Sequence, residues 1–174
     1  SSFSFCQMPR ISYVNGRYLP HTSAMVSVED RGYQLADGVY EVIAIYNGNL
    51  IDRQNHLERL ARSLKQLHID MPVNVTALNF IMTESIRKNR ILNGKLYLQI
   101  TRGVAPRDHA FPPNCRSSLV VTGSPIAWPS REDCKKGGSV ITTADIRWKR
   151  VDVKSVSLLP NVLAKQEAVD ASAD

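Results

Sequence analysis

A chain of 174 residues, 43% hydrophobic and 22% charged, is long enough to bury a sizeable core and suits one large domain or one domain with part of another. No run of about 18 apolar residues is present, which argues against a membrane-spanning helix, and Ser1 to Arg10 lacks the apolar core of a secretory signal, so a cytoplasmic protein is expected. The net charge of +6 suits phosphate-bearing ligands in general, but the basic residues are dispersed and the densest run, Arg147-Trp148-Lys149-Arg150, reads as a solvated strand end, so neither nucleic acid nor a membrane is expected as a partner.

In chain order, Ile11 to Val14 and Arg17 to Leu19 flank Asn15-Gly16, a pair that tolerates the positive backbone angles of a type I′ hairpin turn. A second hairpin is predicted from Val39 to Tyr46, rich in β-branched and aromatic residues, through Asn47-Gly48 into Asn49-Leu50-Ile51. Strand alternation puts Tyr40, Val42, Ala44 and Tyr46 on one face and Val39, Glu41, Ile43 and Ile45 on the other. The next element is a helix opened by a capping box, with Asn55 as cap and Glu58 reaching back. Its apolar stripe is Leu57, Leu60, Ala61, Leu64 and Leu67, while His56 and Arg59 share a flank away from the stripe. A further helix follows Pro72, with Leu78, Ile81, Met82 and Ile86 inward, and is expected to stop at Asn93-Gly94.

Lys95 to Thr101 alternates as a half-buried strand, a loop with three prolines runs from Arg102 to Asn114, and Ser118 to Thr122 returns as a strand. Strands, two helices and strands again predict an α+β domain with helices on one side of a largely antiparallel sheet. We place this N-terminal domain at 1–123 and an interdomain linker at 124–130, where two prolines fall among small residues. Residues 131–174 then begin a second domain, with a β-like stretch from Ser139 to Thr143, a segment from Ile146 to Leu159 that is strand-like over Val151 to Val156, and a helix near Asn161.

Cys6, Cys115 and Cys134 are odd in number and far apart, which suits reduced thiols better than a disulfide framework or a CxxC knuckle. The histidines, His21, His56, His68 and His109, show no ligand spacing, so no metal site is expected. Lys154 lies among β-branched residues with Asp152 two positions earlier. Taken alone this segment favours an edge-strand lysine paired with that aspartate; the sharper alternative is a lysine whose pKa is lowered by apolar neighbours and which serves as a Schiff-base amine. Arg107 and His109 follow a proline in the 102–114 loop, where a planar guanidinium suits a carboxylate. Arg59, in the first turn of a helix, lies near free backbone N–H groups that favour a phosphate.

The runs EDRGYQLADGVYE (29–41), YNGNLIDRQNHLERLARS (46–63), QITRGVAPRDHAFP (99–112) and TTADIRWKRVDVKSVSLLPNVLAKQEA (142–168) together resemble the D-amino acid aminotransferases of the fold-type IV, or class IV, pyridoxal-phosphate family, in the same order and at matching intervals. The resemblance implies a two-domain protein using pyridoxal 5'-phosphate for ping-pong transamination between a D-amino acid such as D-alanine and a 2-oxo acid such as 2-oxoglutarate. It makes Lys154 the catalytic and cofactor-holding lysine and Arg59 the ligand of the cofactor phosphate. Tyr40, Val42, Arg107 and His109 become substrate-binding residues, with Arg147 and His56 in support. In the family the Arg107 and His109 loop reaches the partner's site, which implies a homodimer. Branched-chain aminotransferases and aminodeoxychorismate lyases of the same fold are the alternatives, and the Arg107-Asp108-His109 loop favours the D-amino acid enzymes. The family's second domain runs well past the equivalent of Asp174 and carries the acid that protonates the pyridine nitrogen. The second domain is therefore read as truncated, and little turnover, or a non-catalytic fragment, is the expectation for the chain alone.

Overall fold

The computed structural model describes residues 10–173; Cys6 and most of the opening segment, Ser1 to Arg10, lie outside the described residues. Asn15 and Gly16 take φ of 46° and 94°, as a type I′ turn requires, and join β1 (Ile11–Val14) to β2 (Arg17–Pro20). Asn47 and Gly48 repeat the device at φ 47° and 75° between β3 (Gly38–Tyr46) and β4 (Asn49–Leu50). Before β3 stands a short helix that periodicity does not indicate, α1 (Arg31–Leu35). Its cap is Asp30, whose side chain accepts from the Gly32 N–H at 2.8 Å.

The second helix, α2 (Arg53–Gln66), starts earlier than predicted. Asn55 lies inside its first turn and there is no capping box: Asp52 is the N-cap, in the left-handed region at φ 50°, and makes no side-chain cap bond. Glu58 instead accepts from Gln54 Nε2 at 2.9 Å. The third helix, α3 (Val75–Asn89), is capped by Asn74 Oδ1 on the Ala77 N–H and ends at Arg90 with φ 51°, before Asn93-Gly94. Gly94 opens β5 (Gly94–Thr101) instead. Any Cβ there would collide with the Ser124 carbonyl oxygen on the neighbouring strand β6 (Ser118–Pro125), so the close strand approach requires glycine.

The six strands form one antiparallel sheet in the order β2-β1-β6-β5-β3-β4. Val39, Ile43 and Ile45 of β3, Leu96, Leu98 and Ile100 of β5, and Leu119 and Val121 of β6 point to the same face and are essentially fully buried. Leu57, Leu60 and Leu64 of α2 and Leu78, Ile81, Met82 and Ile86 of α3 complete that core. Both helices therefore cover one face of the sheet, as predicted; Ala61 is exposed and Ser63 takes the buried place beside Leu64. The opposite face carries Tyr40, Val42, Ala44 and Tyr46.

Ser124 and Pro125, read as the start of a linker, close β6 opposite Lys95 and Gly94. Past them, α4 (Arg131–Lys136) has a capping box between Ser130 and Asp133, and α5 (Leu159–Asp170) begins two residues ahead of Asn161. Ser139 to Thr143 is not a strand, and Ile146 to Leu159 is one only to the extent of a single bridge, Val39 to Ser155. Arg147 to Arg150 is exposed irregular chain and no strand end. β-branched residues favour a strand only where a partner strand offers its hydrogen bonds, and among the described residues only Ser155 in these segments is bridged to one. Among the described residues no helix is long and apolar enough to cross a membrane.

Candidate active site

The bridge at Ser155 fixes the lysine. Val153 is buried in the core, Tyr40 N–H donates to the Lys154 carbonyl at 3.1 Å, and Val156 N–H donates to the Gly38 carbonyl at 3.1 Å. The Lys154 N–H in turn donates to Ser63 Oγ of α2 at 3.3 Å. These bonds dock residues 153–156 on the start of β3, along the edge that β4 leaves unpaired, and bring Lys154 Nζ to 4.2 Å from the centroid of the Tyr40 ring, a cation–π distance. Tyr40 stacks on Tyr97 with ring centroids 5.8 Å apart, and the Tyr97 hydroxyl donates to Gln99 Oε1 at 2.7 Å. Burial, then the neighbouring Tyr40, pushes the Tyr97 hydroxyl above its ordinary pKa, so it remains a donor. The edge-strand pairing of Lys154 with Asp152 does not form. Asp152 instead accepts two hydrogen bonds from Arg150 at 3.0 Å each, chiefly for which its carboxyl titrates below the usual carboxylate range.

Lys154 and Tyr40 line an open cavity of about 320 Å³ together with Arg59, Arg62, Arg147, Trp148 and Asn161. Arg59 is held from behind. Its Nε and Nη2 donate to the two Glu41 oxygens at 2.7 Å each, and His56 Nδ1 sits 2.8 Å from Glu41 Oε2. Glu41 is the charged residue on the inward face of β3 and its side chain is only 1% exposed, against 40% for Arg59. The hydrogen bonds to Glu41, above all, raise the Arg59 pKa against the opposing effect of burial. A bidentate pair occupies one edge of the guanidinium and leaves its remaining N–H groups for another anion. Arg147 is paired with Asp145 at 2.7 Å, and that hydrogen bond is the main reason the Asp145 carboxyl falls to about 2. One primary amine, an aromatic face and three arginines suit an organic phosphate that carries a carbonyl group: the arginines bind the anion and the amine meets the carbonyl.

Of the residues singled out by sequence, Lys154, Tyr40, Arg59 and Arg147 thus share one cavity, with His56 one layer behind. Val42, on the Tyr40 face and 37% exposed, is not among the lining side chains, and neither are Arg107 and His109. The last two are exposed on the loop after β5. Sequence reading misses three residues that hold this loop. Asp37 Oδ2 accepts from Arg31 Nε and from Arg102 Nε at 2.7 Å each, and Asp37 Oδ1 accepts from Arg102 Nη2 at 3.0 Å. Burial pushes the Asp37 carboxyl upward, but the hydrogen bonds from Arg102 and Arg31 outweigh it and set its pKa below the ordinary 3.8. A carboxyl whose folded pKa is depressed stabilises the fold above its unfolded pKa and loses that contribution as pH falls through the folded value. Acid unfolding monitored by circular dichroism is therefore expected to steepen below pH 3.8, and an Asp37→Asn variant, already destabilised at neutral pH, is expected to lack that part of the acid dependence.

The family model for class IV amino-transferases matches residues 38–174, and the chain belongs to that family. Among curated relatives it is 41% identical over 162 residues to the D-alanine aminotransferase of Staphylococcus haemolyticus, covering 92% of this chain and 57% of the relative. It is 43% identical over 159 residues to that of Bacillus licheniformis, covering 91% and 56%. The chain thus spans a little over half the length of these relatives. Among solved structures, the T.th. branched-chain amino acid aminotransferase complexed with N-(5'-phosphopyridoxyl)-L-glutamate superposes with a TM-score of 0.81 at 22% identity, over 96% of this chain and 57% of that one. The 4-amino-4-deoxychorismate lyase of Pseudomonas aeruginosa superposes at 0.71 with 26% identity, over 90% and 56%.

Proposed function

We propose that the chain carries the lysine-bearing part of a pyridoxal 5'-phosphate-dependent D-amino acid aminotransferase, acting between a D-amino acid such as D-alanine and a 2-oxo acid such as 2-oxoglutarate. The observation that carries this reading is the placement of the Lys154 amine 4.2 Å over the Tyr40 ring in a cavity that also holds Arg59, Arg62 and Arg147. The identity to D-alanine aminotransferases supports it over the branched-chain and lyase activities of the same fold.

When bound, the cofactor supplies the carbonyl that captures an amino group and the ring that accepts the electron pair of the broken Cα–H bond. The protein's part is binding and proton transfer. Arg59, fixed by Glu41, holds the phosphate. Lys154 Nζ would be the amine that holds the cofactor's carbonyl group and, when free, the base that would take the proton from the substrate α-carbon and deliver it to the cofactor side. Tyr40 shields one side of that amine. Arg107 and His109, exposed and absent from the cavity wall, suit a loop that binds the substrate carboxylate in the cavity of a second copy, so a homodimer belongs to the same proposal, with Val42 and Tyr40 on the sheet face that loop approaches. We place the division between an N-terminal α+β domain and the lysine-bearing second domain, which begins at 131, in the residues after Pro125. The free thiols of Cys115 and Cys134 accord with a reducing, cytoplasmic setting.

The test is covalent trapping. Incubation with pyridoxal phosphate followed by borohydride reduction is expected to leave a phosphopyridoxyl mass on the peptide containing Lys154. Modification spread over surface lysines, with Lys154 unlabelled, would overturn the assignment.

A further inference from the structure

The loop from Arg102 to Asn114 leaves the sheet where β5 ends, at Thr101 opposite Gly38, beside the start of β3. Three ionic side chains meet there, Arg31 and Arg102 buried at 3% and 8% exposure and Asp37 partly buried at 11%. Arg31 does more than neutralise Asp37. Its Nη1 donates to the Asp108 carbonyl and its Nη2 lies 3.5 Å from the His109 carbonyl, so a single guanidinium joins the root of β3 to the middle of the loop. Arg102 serves the two ends. It donates to the Leu67 and His68 carbonyls at 2.7 and 2.9 Å, at the C-terminus of α2, and lies 3.7 Å from the centroid of the Phe111 ring. The turn before the loop is also specified: Gly103 has φ +106°, and a Cβ on it would strike the Arg116 carbonyl oxygen.

Burying two guanidiniums and a carboxylate is costly unless each hydrogen bond is made. An apolar cluster would hold a strand end at less cost, but it would not satisfy the loop carbonyls at Asp108 and His109. We infer that Arg31, Asp37 and Arg102 form a clamp that sets the position of the 102–114 loop, and that Arg31 is thereby a positioning residue for carboxylate recognition by Arg107 and His109. The clamp is independent of the functional reading; the role given to Arg107 and His109 rests on it.

Two variants separate positioning from simple support of the fold. Arg31→Met removes the bridge but leaves Asp37 its bidentate pair with Arg102. Arg31→Lys keeps a charge for Asp37 but lacks the fork that reaches Asp37 and the loop carbonyls together. Amide hydrogen exchange by mass spectrometry reads both. Peptides covering 104–114 are expected to exchange about tenfold faster in each variant, the equivalent of one charge-assisted hydrogen bond, while peptides of β3 and β5 keep their protection. In the cofactor-loaded protein, KM for D-alanine is expected to rise about tenfold with kcat within about twofold. Wild-type loop exchange in both variants, or in Arg31→Lys alone, overturns the clamp, because the fork is then dispensable. Loss of protection throughout the sheet in both variants overturns it as well, since Arg31 then belongs to the fold and not to the loop. A loop that loosens without a change in KM upholds the clamp and removes the carboxylate role. A wild-type chain that fails to bind pyridoxal phosphate defeats the functional reading alone, and the exchange comparison still decides the clamp.

Discussion

On the function proposed above, replacing Lys154 with alanine is expected to reduce the D-alanine transamination of the cofactor-loaded protein by at least about 10³-fold while leaving the fold in place, because the role proposed for the side chain is the proton transfer that general acid–base catalysis accelerates by about 10²–10⁴. The structural cost is small. The bonds that dock this segment, from Tyr40 N–H to the Lys154 carbonyl and from the Lys154 N–H to Ser63 Oγ, are made by its backbone and survive the substitution. What is lost is the contact of Nζ with the Tyr40 ring, and a cation–π contact at a half-exposed position contributes about 0.5–1 kcal/mol. For a chain of this size that corresponds to a fall in melting temperature of about 1–4 °C. The measurements are single-turnover kinetics beside a thermal melt. Partial recovery by a small primary amine such as methylamine would identify the missing function as the amine itself. Activity within tenfold of wild type would sink the assignment of Lys154, whereas a collapse of the melt would mean that the lysine supports the fold. Arg147 is no substitute for it, because its guanidinium is permanently protonated.

The parts of this molecule that can be read from sequence are those whose causes are local. Asn15-Gly16 and Asn47-Gly48 declare their turns because few other residues accept both positive φ values. Leu57, Leu60 and Leu64 declare a helix by spacing alone. The start of α2 is misread because Asp52 enters it in the left-handed region without a side-chain cap, whereas Asn55 and Glu58 imitate a capping box inside the first turn. Ser139 to Thr143 has strand composition but forms no strand among the described residues, and pairing cannot be read from one segment. The active site divides in the same way. Lys154 stands out only through resemblance; the Val39 to Ser155 bridge beside it and its own contact with Tyr40 span more than a hundred residues of sequence. Arg102 likewise reaches Asp37 across 65 residues, and Arg31 reaches the Asp108 carbonyl across 77, and neither contact leaves a periodic trace. Glu41 does leave one. Alternation places a carboxylate on the same face as Val39, Ile43 and Ile45, and a charge at a core position demands a buried partner.

That partner, Arg59, makes Glu41→Gln the informative substitution. Glutamine keeps the shape of the side chain but replaces one acceptor oxygen with an NH₂ group, which faces either Arg59 Nε or Nη2 as donor against donor. Arg59 is 40% exposed and can turn to water, so the cost falls short of that for breaking a fully buried pair. About 2 kcal/mol is expected, which lowers the melting temperature by about 4–8 °C. The effect on phosphate binding has two opposed parts. Removing the carboxylate adds one positive charge to the flank of α2, which favours an anion by about 1 kcal/mol at most in this solvated setting. It also frees a side chain whose rotamer entropy is about 2 kcal/mol and must be surrendered again on binding. The second part is larger, so the dissociation constant for pyridoxal phosphate is expected to rise several-fold, and to rise further in high salt, where the charge term is screened and the positional term is not. Fluorescence titration at low and high ionic strength reads the difference. Tighter binding by Glu41→Gln at low salt, vanishing at high salt, would show that Glu41 acts on the phosphate through its charge and not by holding Arg59 in place.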